Sequence, residues 1–373
     1  MEKHLHIVCL DVPYPVDYGG VFDLFYKIKT LHNLGIKIHL HCFEYGRGEQ
    51  PTLNDYCEEV KYYRRQKGHK GFSHKFPYIV CSRSNAALHD NLLMDDYPVF
   101  LEGIHCTYLL NDERFANRKI FLRIHNIEYK YYRELYHSES SILKKIYYAY
   151  ESFLLKKYEK KVANKAFLIT VSSQDADCFI NEFLAKKIEQ LPVFLPYQHV
   201  ESGTGNGCFC LYHGNLSVAE NEVAAIWLLE NVFNDLDVPF VIAGKNPSAR
   251  LQHLAHQHRQ TCLVSNPSEL EMQDMINKAQ INILPSFNNT GIKLKLLNAL
   301  YNGRHCIVNE QTVKSTGLES LCHVASGEKG CKNMIKELYE RPFHNDEITA
   351  RNKLLSGYFD NEKNGKQLIE WIW

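Results

Sequence analysis

Twice along this chain, short apolar runs alternate with amphipathic stretches of helical period. One polar, glycine-rich segment, HVESGTGNG at 199–207, separates the two series. Strands separated by helices cannot pair as tight hairpins, because a parallel neighbour is reached only by a long crossover. The alternation therefore predicts α/β architecture, with mainly parallel sheets covered by helices on both faces. In the first series the strand candidates are 4–11 (HLHIVCLD), 37–45 (KIHLHCFEY), 98–106 (PVFLEGIHC), 119–126 (KIFLRIHN) and 166–173 (AFLITVSS). An amphipathic helix ending at Gly35 and a long helix within 141–164 lie between them. In the second series the strands are 208–215 (CFCLYHGN), 239–246 (PFVIAGKN), TCLV, 281–287 (INILPSF) and 305–309 (HCIVN). The helix SELEMQDMINKA there has a serine at its start, where a hydroxyl accepts from a free backbone N–H.

At 373 residues the chain exceeds what one hydrophobic core serves, so two domains are expected. The expected boundaries are 1–198 for an N-terminal α/β domain and 208–355 for a C-terminal one. The tail, 356–373, is expected to pack back on the body of the protein, since NEKNGKQLIEWIW is amphipathic and holds two of the three tryptophans. The formal net charge of zero gives no electrostatic signature for nucleic acid, and no nucleic-acid partner is expected. No apolar run approaches the roughly 18 residues of a membrane span. The N-terminus enters a strand-like run directly, without a signal-peptide layout. The 12 cysteines are scattered and form no C-x-x-C pair, and Cys208 and Cys210 are expected on one strand face. Buried reduced thiols are expected, and with them a cytoplasmic protein.

Open parallel sheets bind ligands beyond the carboxyl ends of their strands, so the loops after strands carry the candidate chemistry. PYPVDYGG follows the first strand, and Gly19 and Gly20 let backbone N–H groups approach an anion there. RIHNIEYKYYREL concentrates Arg123, His125, Asn126 and Glu128 at a strand end, and LEGIHC places Glu102 and His105 similarly. The third loop, FNNTGIKLKLLNALYNGRHC, reads as a helix with Ile292, Leu296, Leu297 and Leu300 on one face. Asn289 or Thr290 is expected to cap it, and Gly303 to follow it. Lys293 and Lys295 then sit at the end of the helix that is already positive, where a cation costs roughly 0.3–1 kcal/mol. A bound diphosphate reverses that sign. Residues two apart on a helix diverge by about 200°, so only one of the two lysines is expected to reach the anion directly unless the first turn is irregular.

Other patterns are weaker. His4 with His6, and His39 with His41, share strand faces, and His253, His256 and His258 lie on a polar helix without a carboxylate ligand; no metal site is expected. There is no G-x-G-x-x-G fingerprint, no P-loop and no nucleophile elbow. The segment KKIYYAYESFLLKKYEKKVANK mixes lysines with tyrosines, which suits a solvated face or an anionic membrane surface.

These segments, in this order, resemble the GT-B glycosyltransferases, in particular family 4 of the retaining nucleotide-sugar enzymes. The resemblance covers most of the chain. It is carried by PYPVDYGGVFDLFYKIKTLHNLGIKIHLHCF, RIHNIEYKYYREL, TVSSQDADCF, LYHGNLSVAENEVAAIWLLENVF, VIAGKNP and PSFNNTGIKLKLLNALYNGRHCIVN. It implies two facing Rossmann-like domains with the sugar donor in the cleft between them and a C-terminal helix crossing back to the first. It implies a hexosyltransferase that moves a sugar from a nucleoside diphosphate sugar to a glycan or lipid-linked oligosaccharide acceptor, with retention, in cell-surface polysaccharide biosynthesis. The nucleotide sugar is a co-substrate, no cofactor or metal is expected, and the protein is placed at the inner face of the membrane with peripheral contact.

By position, Gly19, Gly20, Gly214, Lys245, Asn289, Thr290, Gly291, Ile292, Lys293, Lys295 and Asn298 fall to the donor diphosphate and sugar. His125 and Glu102 fall to catalysis, and Arg123, Asn126 and Glu128 to the acceptor side. The chain departs from the family in carrying Thr290 and Asn298 in place of a Glu-x7-Glu pair. It also has Asn215 and Asn221 where basic residues are usual, and the lysines of the helix start are expected to take over their charge. The alternative readings are a non-catalytic sugar-nucleotide-binding or partner protein and a GT-B nucleotide-sugar epimerase.

Overall fold

The computed structural model describes residues 2–16, 19–139, 141–287, 293–314 and 316–373. The chain divides into two compact units, Met1–Pro196 together with Tyr358–Trp373, and Tyr197–Gly357.

The first unit is built on β1 (Lys3–Cys9), β2 (Ile36–Glu44), β3 (Glu59–Arg64), β4 (Val99–Glu102), β5 (Ile120–Ile124), β6 (Phe167–Thr170) and β7 (Ile188–Gln190). They pair in parallel in the order β3-β2-β1-β4-β5-β6-β7. The second unit contains β8 (Cys210–Asn215), β9 (Phe240–Lys245), β10 (Thr261–Ser265), β11 (Ile281–Ile283), β12 (His305–Val308) and β13 (His323–Val324). Its parallel order is β10-β9-β8-β11-β12-β13. Both sheets match the expected α/β class. Central strands such as β4, β5 and β12 are buried along their whole length, as strands covered on both faces must be.

Several expected boundaries shift. The strand expected over 98–106 ends at Glu102, because Gly103 takes φ +84° and starts a 3-10 helix, Ile104–Asn111. The strand expected over 281–287 ends at Ile283. β8 begins at Cys210 and Cys208 lies exposed outside it, so the two thiols do not share a strand face. The edge strands β3, β7 and β13 were absent from the sequence reading. They are short or partly exposed and lack the apolar run that marks a buried strand. The serine start of the helix Glu269–Lys278 is present as a full capping box between Ser268 and Glu271.

The tail forms the helix Asn361–Ile372, capped by Asp360 and packed against the first helix, Gly19–Asn33. Leu368 and Ile372 join Leu24, Ile28 and Leu31 in one apolar layer, each contributing about 1.5–3 kcal/mol by burial. Gly365 makes the approach possible, since a Cβ there would lie 2.7 Å from Leu34 Cδ1 and 2.8 Å from Thr30 Cγ2. No helix among the described residues is long and apolar enough to cross a membrane.

Candidate functional site

In both sheets the strand order reverses at the first strand: β1 lies between β2 and β4, and β8 between β9 and β11. Crossovers leave such a strand in opposite directions and open a crevice at its carboxyl end. Each unit places a group of charged side chains there.

In the first unit five side chains form one network. Asp23 and Lys27 come from successive turns of the first helix, Glu102 ends β4, Arg123 lies in β5, and His125 follows it. Lys27 Nζ lies 3.1 Å from Asp23 Oδ2 and 2.6 Å from Glu102 Oε1. Arg123 Nε donates to Asp23 Oδ2 at 3.1 Å, and His125 Nε2 lies 3.0 Å from Glu102 Oε2. The Asp23, Lys27, Glu102 and Arg123 side chains are buried, while His125 stays partly open to solvent. Burial opposes the charge on Asp23, yet Arg123 and Lys27 outweigh it and hold its carboxyl well below the usual range. Glu102 is also lowered: burial raises it, and Lys27 and His125 more than compensate.

Arg123 further donates to the carbonyls of Leu191 and Pro192, at 2.7 and 3.0 Å, and so ties down the segment after β7. Its guanidinium is wholly committed inside the unit. Asn126 is half-buried beside His125. Glu128 is buried at the start of the helix Glu128–Ser138, and burial pushes its carboxyl up to about 7. His105 falls on the 3-10 helix after Gly103, its Nδ1 buried without a partner. Gly19 and Gly20 open the first helix.

In the second unit the carboxyl end of β8 carries Tyr212, His213, Gly214 and Asn215, and the next helix, Ala219–Trp227, carries Glu220 and Asn221. Across from them starts the helix Leu294–Asn302. Lys295 Nζ donates to Asn221 Oδ1 at 3.0 Å and to Tyr212 Oη at 3.3 Å, and Lys293 Nζ lies 3.7 Å from Glu220 Oε1. Burial pushes Lys295 down to about 8 against the pull of Glu220, and Lys293 is lowered for the same reason. His213 is pushed down to about 3 by burial and by Lys295; it is neutral, and its Nε2 is buried without a partner.

Asn289, Thr290, Gly291 and Ile292, and the cap expected at Asn289 or Thr290, lie outside the described residues. The helix start is irregular, the case in which both lysines can share one side. Lys293 is the N-cap, with extended φ −85° and ψ 96°, so it stands off the helical wheel and both ammonium groups meet the Glu220–Asn221 turn. Gly214 pairs in register with Gly244, and Lys245 ends β9 exposed. Asn298 Oδ1 accepts from Asn302 Nδ2 at 2.8 Å.

Asp23, Lys27, Tyr212 and Glu220 escaped the sequence reading. The one available signal was the Asp23–Lys27 pair, four residues apart and interleaved with Leu24, Ile28 and Leu31 on a helix face that had to be buried.

Two groups of potential metal ligands lie within 4.8 Å among the described residues, Asp23–Glu102–His125 and His305–His323–Glu347. Each already contains a cation of the protein: Lys27 with Arg123 in the first, and in the second Arg341, whose Nη2 lies 3.0 Å from Glu347 and 3.4 Å from His305.

Residues 208–338 match the family model described as glycosyl transferases group 1. An uncharacterized 44.6 kDa protein in a cps region of Klebsiella pneumoniae is 28% identical over 330 residues, which are 83% of this chain and 84% of that one. Among solved structures, Anabaena HepE in complex with UDP and glucose superposes with a TM-score of 0.66 at 13% identity, over 100% of this chain and 99% of that one. S. aureus TarM, solved with UDP and alpha-GlcNAc-glycerol, gives 0.67 at 9% identity over 100% of both chains. WaaG, a glycosyltransferase of lipopolysaccharide biosynthesis, gives 0.67 at 11% over 98% of this chain and 99% of that one. Two Rossmann-like units, with a C-terminal helix returned to the first, give this chain the GT-B fold.

Proposed function

We propose that this chain is a glycosyltransferase that moves a sugar from a nucleoside diphosphate sugar to a hydroxyl of a glycan or lipid-linked acceptor in cell-surface polysaccharide biosynthesis. The observation that carries this reading is the pair Lys293 and Lys295 at the second unit's switch point. Lys295 donates to a phenol and an amide, both neutral, and Glu220 is the carboxylate whose charge acts on both lysines, so two partly buried ammonium groups face one carboxylate and suit an incoming anion. When the anomeric bond breaks, negative charge builds on the diphosphate. These lysines and the N-terminus of the helix Leu294–Asn302 are already oriented to receive it. Asn221 stands where a basic residue is usual, and Lys295 brings its charge to that spot from the opposite helix.

In the first unit Glu102 holds one ring nitrogen of His125 and so fixes its tautomer and orientation. His125 acts on the transferred sugar, Glu102 is a positioning residue, and Asn126 and Glu128 serve the acceptor side. The family 4 resemblance adds retention of configuration and a hexosyl donor. The cps-region relative supports a role in surface-polysaccharide assembly. A lipid-linked acceptor brings the protein to the inner face of the membrane.

The test is a panel of nucleoside diphosphate sugars. A binding donor at 100 times its dissociation constant stabilises the protein by about 2.7 kcal/mol, and transfer releases the nucleoside diphosphate. Lys293→Ala with Lys295→Ala should abolish both signals, and unchanged binding and turnover would overturn the reading. A second reading, a sugar-nucleotide-binding protein without transfer, is favoured by Asn298, whose carbonyl oxygen is taken by Asn302. Donor binding without nucleotide release, across lipid-linked and soluble acceptors, would select it.

A further inference from the structure

The helix Ile142–Val162 is apolar on two sides. Its inner side is accounted for, since Leu155, Tyr158 and Val162 belong to the core of the first unit. On its outer side Ile142 is 75% exposed, Leu143 80%, Ile146 62% and Phe153 54%. Residues 142, 146, 149 and 153 follow the spacing that keeps side chains on one helix face. Lys156, Lys157 and Lys160 continue that face toward the C-terminus and are exposed. The helix has six lysines and two acids, and both acids, Glu151 and Glu159, are buried. Its outward charge is therefore entirely positive. Neighbouring acids compensate two of the lysines, Lys144 through Glu139 at 3.3 Å and Lys156 through Glu182 at 3.7 Å.

A second feature lies against this helix. Between Glu59 and Asp90 the chain has no carboxylate, and Arg64, Lys67, Lys70 and Lys75 are exposed there, together with Phe72. This segment meets the helix from its inner side, where Tyr78 N–H donates to the buried Glu151 Oε2 at 2.9 Å, and Lys161 Nζ lies 5.2 Å above the Phe76 ring. It leaves the sheet at Arg64, the last residue of β3, on the same carboxyl edge as Glu102 and His125.

We propose that the outer face of the helix Ile142–Val162, with its exposed apolar side chains and lysines, docks on a lipid bilayer carrying anionic headgroups. Exposed apolar patches of this kind mark interaction surfaces. The abundance of lysine decides between partners. Lysine is depleted in protein–protein interfaces, whereas at a bilayer its stem lies along the apolar boundary and its ammonium reaches the phosphates. Aliphatic and aromatic side chains enter the acyl boundary, and the lysines add attraction that salt screens. The surface deepens the reading of the acceptor as lipid-linked, on which it rests.

Flotation with vesicles tests this without any transfer assay, so failure of the enzymatic reading leaves the result interpretable. The full chain should bind vesicles of equal parts phosphatidylcholine and phosphatidylglycerol at least about tenfold more tightly than pure phosphatidylcholine, and high salt should weaken that binding. The triple variants Ile142→Ser/Ile146→Ser/Phe153→Ser and Lys156→Gln/Lys157→Gln/Lys160→Gln should each lose most of it with melting temperature unchanged. No binding, equal binding to both vesicles, or full binding by either folded variant would overturn the proposal. So would a wild-type dimer that the apolar triple variant dissolves without any effect on vesicles, which would make the face a contact between copies of the chain.

Discussion

His125 Nε2 lies 3.0 Å from Glu102 Oε2, and the other oxygen of the same carboxylate faces Lys27 Nζ at 2.6 Å. A partly open imidazole is thus held by a fully buried ion pair. Lys27→Met would leave Asp23 and Glu102 buried with one cation fewer. It should cost about 3–5 kcal/mol in urea unfolding, as removal of one partner of a buried pair does. Glu102→Gln, nearly isosteric, should keep donor affinity and lower kcat, since it acts through His125. A matching loss of donor binding would contradict that assignment.

On the proposed role of Lys295, donor binding should depend on pH. Burial pushes its ammonium down to about 8, and a bound diphosphate favours the charged form. Affinity for a nucleoside diphosphate should therefore be full below pH 8 and fall as pH rises through it. Lys295→Ala should weaken binding by about 1.5–3 kcal/mol, roughly ten- to a hundredfold, and remove that fall. Calorimetric titration of wild type and variant at pH 7 and pH 9 measures both effects.

Glu151 gives a stability effect of opposite sign to that of an ordinary ion pair. Burial pushes its carboxyl up to about 7, above the unfolded value of 4.5. A raised folded pKa means a contribution that is present below pH 4.5 and lost as pH rises through 7. Glu151→Gln keeps an oxygen to accept from the Tyr78 N–H and carries no charge. It should add about 1–3 kcal/mol at pH 8 and nothing at pH 4, read from urea midpoints at the two pH values.

Gly244 is set by contact with its partner strand. A Cβ there would lie 1.9 Å from the Gly214 carbonyl oxygen, which is backbone and cannot rotate away. Gly244→Ala should destabilise the protein by about 3 kcal/mol and displace Gly214 at the end of β8. Denaturant unfolding measures the cost, and a near-neutral result would mean the two strands separate easily.

Local pattern carried much of the fold. Buried central strands announce themselves as apolar runs and helices by their period, because each depends on residues close in sequence; the polar stretch 199–207 lies inside the second unit, where Gly205 pairs with Phe343 and Ser202 is buried. The edge strands β3, β7 and β13 escaped because a strand paired on one side needs little apolar surface. Among candidate site residues, His125, Glu102, Lys293 and Lys295 stand out as polar groups at strand or helix ends. Asp23, Lys27 and Glu220 do not, since a charged residue on an amphipathic helix looks solvated until its partner is known.

The sequence by itself determined two α/β units, a returning C-terminal helix and the loops in which charge gathers. Only the tertiary structure decided which of those loops are neighbours. Strand order places β4 beside β1 and β11 beside β8, so residues about a hundred positions apart, such as Asp23 and Arg123, meet. It turned Arg123 inward as a tie for the segment after β7, and it set Lys295 against Asn221. The physical reason is that periodicity reports which face of an element is buried, whereas the partner on that face follows from the path of the crossovers, which no local spacing encodes.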